Sequence, residues 1–147
     1  MEEFAYRQLS FYCDVKTNDL YILPNGFLEP LGPIVEIEYM EHLVYPYDSQ
    51  ELIDKVQKAL TMCYSKVPPI PAKATAIANL LGKKSYAEAT RNKKLVMLRY
   101  REYDDVGYRL YPTKKVKRYG YQHLTDLAED LGETLEKEEL FLKLKKV

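Results

Sequence analysis

The 147-residue chain has no tryptophan, two cysteines, two histidines and six glycines. Cys13 and Cys63 stand fifty positions apart with no CxxC spacing. Two such isolated thiols make neither a disulfide framework nor a zinc knuckle, and each reads as a small buried apolar residue. No apolar run approaches the ~18–20 residues that cross a bilayer, so no membrane span is expected. The opening MEEFAYRQLSFYC starts with acids and is interrupted by polar residues, unlike a secretory leader, and the expected location is cytoplasmic. A glycine-rich phosphate loop, HExxH and GxSxG are all missing. Adjacent acids at Glu2/Glu3, Asp104/Asp105 and Glu138/Glu139 read as solvated turns or helix faces. Glu36 and Glu38 lack a third ligand that would complete a metal site. The sequence therefore predicts no metal, no cofactor, no small-molecule substrate and no catalytic residues. The enzymatic alternative is an acid–base pair of His42 and His123, as in metal-free ribonucleases, since imidazole titrates in the useful range.

What the chain does have is charge, unevenly spread. Twenty-two cations balance twenty-two acids. Residues 1–66 hold eleven acids against five cations, whereas residues 83–121 hold twelve cations against four acids. Such asymmetry bears on partners more than the total does.

Periodicity gives the elements. FYCDV (11–15), the turn formers TND and LYIL (20–23) predict a hairpin whose second strand ends at a Pro24-Asn25-Gly26 turn. IVEIEY (34–39) alternates so that Val35, Ile37 and Tyr39 share one face while Glu36 and Glu38 point to solvent. HLVYP (42–46) is a further short strand. Leu52, Val56, Ala59, Leu60 and Cys63 form the apolar stripe of an amphipathic helix capped by Asp48 or Ser49. VPPIP (67–71) stops it. AKATAIANLLG (72–82) and SYAEATRN (85–92) predict two short helices. LVMLRYREY (95–103), a DDVG turn and YRLYP (108–112) predict a second hairpin, and the chain closes in a helix from about Leu135.

An offset of 88 superposes the two ends of this map. LYILP lies over YRLYP with Pro24 on Pro112, Gly32 falls on Gly120, and ELIDKVQKAL lies over ELFLKLKKV with Leu52 on Leu140 and Val56 on Leu144. The expected architecture is therefore α+β: antiparallel sheets with packed amphipathic helices, in a two-fold internal repeat. A single domain spans 1–147, with repeat halves of about 1–66 and 83–147 and a proline-containing connection at 67–82.

Two binding surfaces suggest themselves. In the second half, Tyr100, Tyr103, Tyr108, Tyr111, Tyr119 and Tyr121 interleave with Arg99, Arg101, Arg109, Lys114, Lys115, Lys117 and Arg118. Rings for bases and cations for phosphates suit single-stranded nucleic acid. The same residues also suit strand packing and an aggregation-resistant edge. In the first half, seven carboxylates and no cation lie from Glu29 to Asp54. A rigid acidic face mimics a nucleic-acid backbone and steers toward a cationic partner, such as a nuclease cleft.

The run LGKKSYAEATRNKKLVMLRYREYDDVGYRLYPTKKVKRYGYQHL resembles the immunity proteins of contact-dependent growth inhibition, the CdiI type. The resemblance rests on Leu81–Ser85 as LGxKS, the strand Lys94–Tyr103, the turn Asp104–Gly107, Tyr108–Thr113 as Y-x-[IL]-x-PT, and Gly120–Leu124 as G-[YF]-x-x-L. It covers about 45 residues. It implies a small cytoplasmic α+β protein, not an enzyme, that binds a cognate toxin domain, often a nuclease, and blocks its active site. Some such proteins resemble the Whirly fold, two sheet-plus-helix repeats that elsewhere bind single-stranded nucleic acid; a Whirly-like nucleic-acid-binding module is the alternative. The resemblance assigns no contact residues. Acid and tyrosine chemistry places them at Glu36, Glu38, Glu41, Tyr45, Tyr47 and Asp48.

Overall fold

The computed structural model describes residues 6–28, 33–70, 75–103, 105–116 and 120–145. Glu2/Glu3, Glu29, Gly32, residues 72–74, Asp104, Lys117, Arg118 and Tyr119 lie outside that set. The chain is α+β, an eight-stranded antiparallel sheet with four α-helices among the described residues.

Strand β1 (Arg7–Asp14) turns into β2 (Leu20–Phe27). Asp14 closes the turn by accepting from the backbone N–H groups of Lys16 and Thr17 at 2.8 and 3.0 Å. The expected PNG turn is instead strand. Pro24 pairs with Leu9, and Asn25 and Gly26 continue the ladder against Glu36 and Val35 of β3 (Ile34–Glu36). Two contacts explain this. The Asn25 side chain accepts from the Gln8 N–H at 3.1 Å, so it serves the sheet rather than a turn. At Gly26 an added Cβ would meet Ile37 at 2.5 Å and the Lys66 carbonyl at 2.9 Å, so glycine is there for close approach.

Strand β4 (Glu41–Leu43) pairs with the other end of β2. Helix α1 (Ser49–Met62) follows, its Asp48 cap and Glu51 forming a reciprocal capping box. Its buried side chains Leu52, Val56, Ala59 and Leu60 are the expected stripe; Cys63 is also buried, at the C-cap. Short helices α2 (Ala76–Leu80) and α3 (Tyr86–Ala89) are each N-capped by a hydroxyl, of Thr75 and Ser85.

Strand β5 (Lys93–Arg101) pairs with the whole of β1 through its residues 93–100. Strand β6 (Gly107–Val116) does not stop at Pro112. Pro112 pairs with Val96, and its carbonyl accepts from the Leu124 N–H. Beyond it Thr113–Val116 pair with β7 (Gly120–His123). Strand β8 (Glu129–Gly132), in a segment without a clear periodic signal, pairs with the start of β6. Helix α4 (Lys137–Lys145) closes the chain. The sheet order is β3-β2-β1-β5-β6-β7, with β4 also on β2 and β8 also on β6.

Side-chain alternation along these strands makes two cores. On one face Leu9, Phe11, Leu20, Ile22, Val96, Leu98 and Leu110 are buried beneath α1 and α4. The two helices meet at their first turns: Ser49 Oγ donates to Glu138, Lys137 Nζ donates to Gln50 at 2.7 Å, and the Tyr47 and Phe141 rings meet edge-on at 5.9 Å. On the opposite face α2 and α3 place Ala76, Ile77, Ala78 and Ala89 over Tyr12, Leu23, Leu95 and Met97. No helix among the described residues is long and apolar enough to cross a membrane.

Candidate functional site

The face that carries α2 and α3 is only partly covered by them. Register places Gln8, Ser10 and Tyr12 of β1 on it, beside Asn25 of β2 and Glu36 of β3. On the other side come Met97, Arg99 and Arg101 of β5, Arg109 and Tyr111 of β6, and Tyr121 and His123 of β7. A pocket of about 480 Å³ opens between these groups, walled by Tyr6, Tyr86 and Tyr121 and floored by Ser10, Leu95 and Met97.

Glu36 stands at one end of the pocket. Its carboxylate accepts from the Tyr12 hydroxyl at 2.5 Å, and the Tyr12 and Tyr86 hydroxyls are 2.9 Å apart. Burial pushes the Glu36 carboxyl above the usual carboxylate range, against hydrogen bonds from Tyr12 and Ser10 that pull it down. The Tyr12 hydroxyl is raised too, by burial first and then by the charge of Glu36. Tyr12, Tyr86 and Tyr121 pack edge-to-face with centroids 6.3–6.4 Å apart. That geometry lets each ring edge meet a neighbour's face. The expectation that Glu36 points to solvent is corrected: pairing with Asn25 turns its side chain onto Tyr12.

Arg99 stands at the other end. Its guanidinium lies over the Tyr6 ring at 4.1 Å and the Tyr111 ring at 4.9 Å, while Nε and Nη2 donate to Gln8 Oε1 at 3.2 and 3.0 Å. Tyr111 in turn stacks on His123 at 6.1 Å. Burial, then the charge of Arg99, lowers the His123 pKa. The result is a row of ring, cation, ring and imidazole across β5, β6 and β7. Of the basic, tyrosine-rich set read from the sequence, alternation sends Tyr100 and Tyr108 to the other face, where their rings lie 4.5 Å apart.

The other expected site residues are distributed differently. Glu38 accepts from the Asn79 side chain of α2, and its carbonyl accepts from Lys66 Nζ at 3.1 Å. Glu41, on the face toward α1, is 7% exposed and accepts from Tyr39 and from Lys55 at 3.2 Å, with Lys58 at 3.8 Å. Burial raises its carboxyl, but these donors and charges outweigh that and hold it below the usual range. Three of the acids are therefore occupied inside the molecule. Tyr45 is 52% exposed, with Val44 beside it at 63%. Tyr47 is half-buried on Phe141, and burial pushes its hydroxyl up to about 12. Tyr45 and Tyr47 share a surface hollow with Cys13, Val15 and Phe141.

His42 and His123 are not brought together. His42 stacks on Tyr21 at 4.4 Å and its Nε2 lies 3.0 Å from Asp19, at the β4 edge of the sheet. His123 is at the β7 edge, with β2, β1, β5 and β6 between. Among the described residues no cluster of His, Cys, Asp or Glu is placed to hold a metal ion. Both cysteines are free; burial pushes the Cys13 thiol up to about 12 and raises that of Cys63.

No known protein family, curated protein or solved structure matches the chain.

Proposed function

We propose that this chain is an immunity-type binding protein that neutralises a cognate toxin domain, a cationic nuclease, by docking on it and blocking its active site in the cytoplasm. The observation that carries the reading is the apolar and aromatic end formed by Val15, Val44, Tyr45 and Tyr47. Large side chains left exposed together on a protein surface mark contact sites, and Val15, Val44 and Tyr45 are each at least half exposed. Acids border this end: Asp19 accepts from the Tyr45 N–H at 2.9 Å, and Asp48 and Glu51 cap α1 beside Tyr47. Of the six contact residues expected from sequence, Tyr45, Tyr47 and Asp48 remain in the proposal. Glu36, Glu38 and Glu41 leave it because other side chains of the molecule hold their carboxylates and none of the three is fully exposed, whereas Asp48 caps α1 and stays exposed.

A duplicated scaffold supports the same reading, and we infer it from spacing. Strands β4 and β8 begin at Glu41 and Glu129, and helices α1 and α4 at Ser49 and Lys137, each pair 88 positions apart. The first three strands of each half begin within two residues of that spacing. The central strand of each outer group, β2 or β6, holds two partners on its outer side, and a helix follows the second of them.

The test is growth rescue. The chain is co-expressed with the C-terminal domain encoded by the adjoining upstream reading frame, provided that this domain alone arrests growth. Full rescue with co-purification of the two supports the proposal; unrelieved growth arrest with both proteins soluble removes it.

The Arg99–Tyr111–His123 row favours a second reading, a Whirly-like module for single-stranded nucleic acid. Retention of an oligonucleotide on a filter that falls steeply between low and moderate salt is its signature. Retention that is absent at both rules it out.

A further inference from the structure

Where β5 leaves the sheet and β6 enters it, three arginines line one small cavity. Arg99 and Arg101 are two residues apart on β5 and so share a face; Arg109 is paired with Arg99 directly across the ladder. The cavity they share with Tyr111 and two carboxylates, Asp105 and Asp130, measures about 50 Å³, so its lining carries three cations against two acids. That is roughly the space of one or two waters, the size of an oxyanion head and too small for a ring.

The three cations are not equally satisfied. Arg99 is held by Gln8 and by two rings. Arg109 has Asp105 at 3.4 Å, a carboxylate that is itself 73% exposed. Arg101 forms no hydrogen bond or ion pair among the described residues, and its Nε is buried with no partner. Buried guanidinium N–H groups in native proteins almost always have an acceptor. Like charges directly opposite in an antiparallel ladder repel. Both features disappear once an anion with several acceptor oxygens enters the cavity.

We propose that this cavity binds a phosphate group. A planar carboxylate takes one guanidinium fork, whereas a tetrahedral phosphate presents acceptors to three donors at once and brings up to two negative charges. The Tyr6–Arg99–Tyr111–His123 row starts at the cavity, which Arg99 and Tyr111 line, and runs away from it across the sheet. The site lies at the Arg7/Tyr100 end of the β1–β5 pair, whereas Tyr45 and Val15 lie near the Asp14/Lys93 end. It is therefore independent of toxin docking, and either proposal can fail alone.

The test follows the arginine Nε–H resonances of the ¹⁵N-labelled chain during titration with inorganic phosphate at constant ionic strength. At about 10 mM phosphate, a site with a Kd of order 1 mM is roughly nine-tenths filled. Signals of Arg99, Arg101 and Arg109 should shift together with phosphate and not with acetate. Arg101→Met should weaken the response at least tenfold while leaving the thermal midpoint unchanged or higher, because it removes a buried donor that lacks a partner. If Arg101→Met does not fold, Arg109→Gln takes its place, with the same loss required. A thymidine octamer binding more tightly than inorganic phosphate assigns the group to a nucleic-acid strand; equal or weaker binding assigns it to a free phosphate. Absence of any shift, or an equal shift with acetate, overturns the proposal, the latter because it makes the cavity a docking point for an acidic protein side chain.

Discussion

At the scale of single residues, the two carboxylates Glu36 and Glu41 illustrate how one acidic run divides. Both were legible as acids on a strand-rich segment; which way each would face was not. A three-residue strand fixes orientation through its partner, so pairing of Glu36 with Asn25 decided what alternation alone could not. Their pH signatures are opposite. The Glu36 carboxyl is raised in the fold, so the native state holds its proton more tightly than the unfolded chain does. Its contribution is most favourable below the unfolded pKa and is lost as pH rises through the folded value. Glu36→Gln keeps an acceptor for Tyr12 without the buried charge, and its thermal midpoint at pH 7 should exceed that of the parent, with the gap closing toward pH 4. Glu41 is depressed, so its contribution is present above the unfolded pKa and fades as pH falls through the folded value. Glu41→Gln should lose about 1–2 kcal/mol at neutral pH, discounted for the exposed lysines, and little in acid. Denaturant melts across that pH range distinguish the two.

At the scale of elements, helices announced themselves better than strands. The α1 stripe and its Asp48 cap were readable because 3.6-residue periodicity and a capping box are local signals. Asp48→Ala should cost about 1 kcal/mol, or roughly 3 °C in a chain of this size, measured by calorimetry. Proline and glycine, which ordinarily punctuate strands, do not mark the strand ends here. Pro24 and Pro112 both lie inside strands, where their carbonyls accept from the N–H groups of Ile37 and Leu124, and Gly26 serves contact with Ile37 rather than a turn. β8 was missed since EDLG carries no alternation; its partner β6 supplies the order.

At the scale of the whole molecule, the α+β class followed from the mixture of periodicities, whereas the joining of both halves into one sheet through β1 and β5 did not. Long-range pairing is written in no local window. The site was legible in part: the basic, tyrosine-rich run was visible, but its division between two faces needed the register. The hollow at Tyr45 needed α4 brought back against β1 from the far end of the chain.

The central proposal, that a toxin domain docks at the Tyr45 end, is most directly tested by titrating the purified chain against a growth-arresting domain that it rescues in co-expression. Tyr45→Ala is compared with Glu36→Gln in the same calorimetric experiment. The account predicts a 1:1 complex that Tyr45→Ala weakens by roughly 30-fold, the size of a ~2 kcal/mol hot spot, and that Glu36→Gln leaves unchanged. A complex indifferent to Tyr45 and weakened by Glu36→Gln, or no complex at about 10 µM, would contradict it.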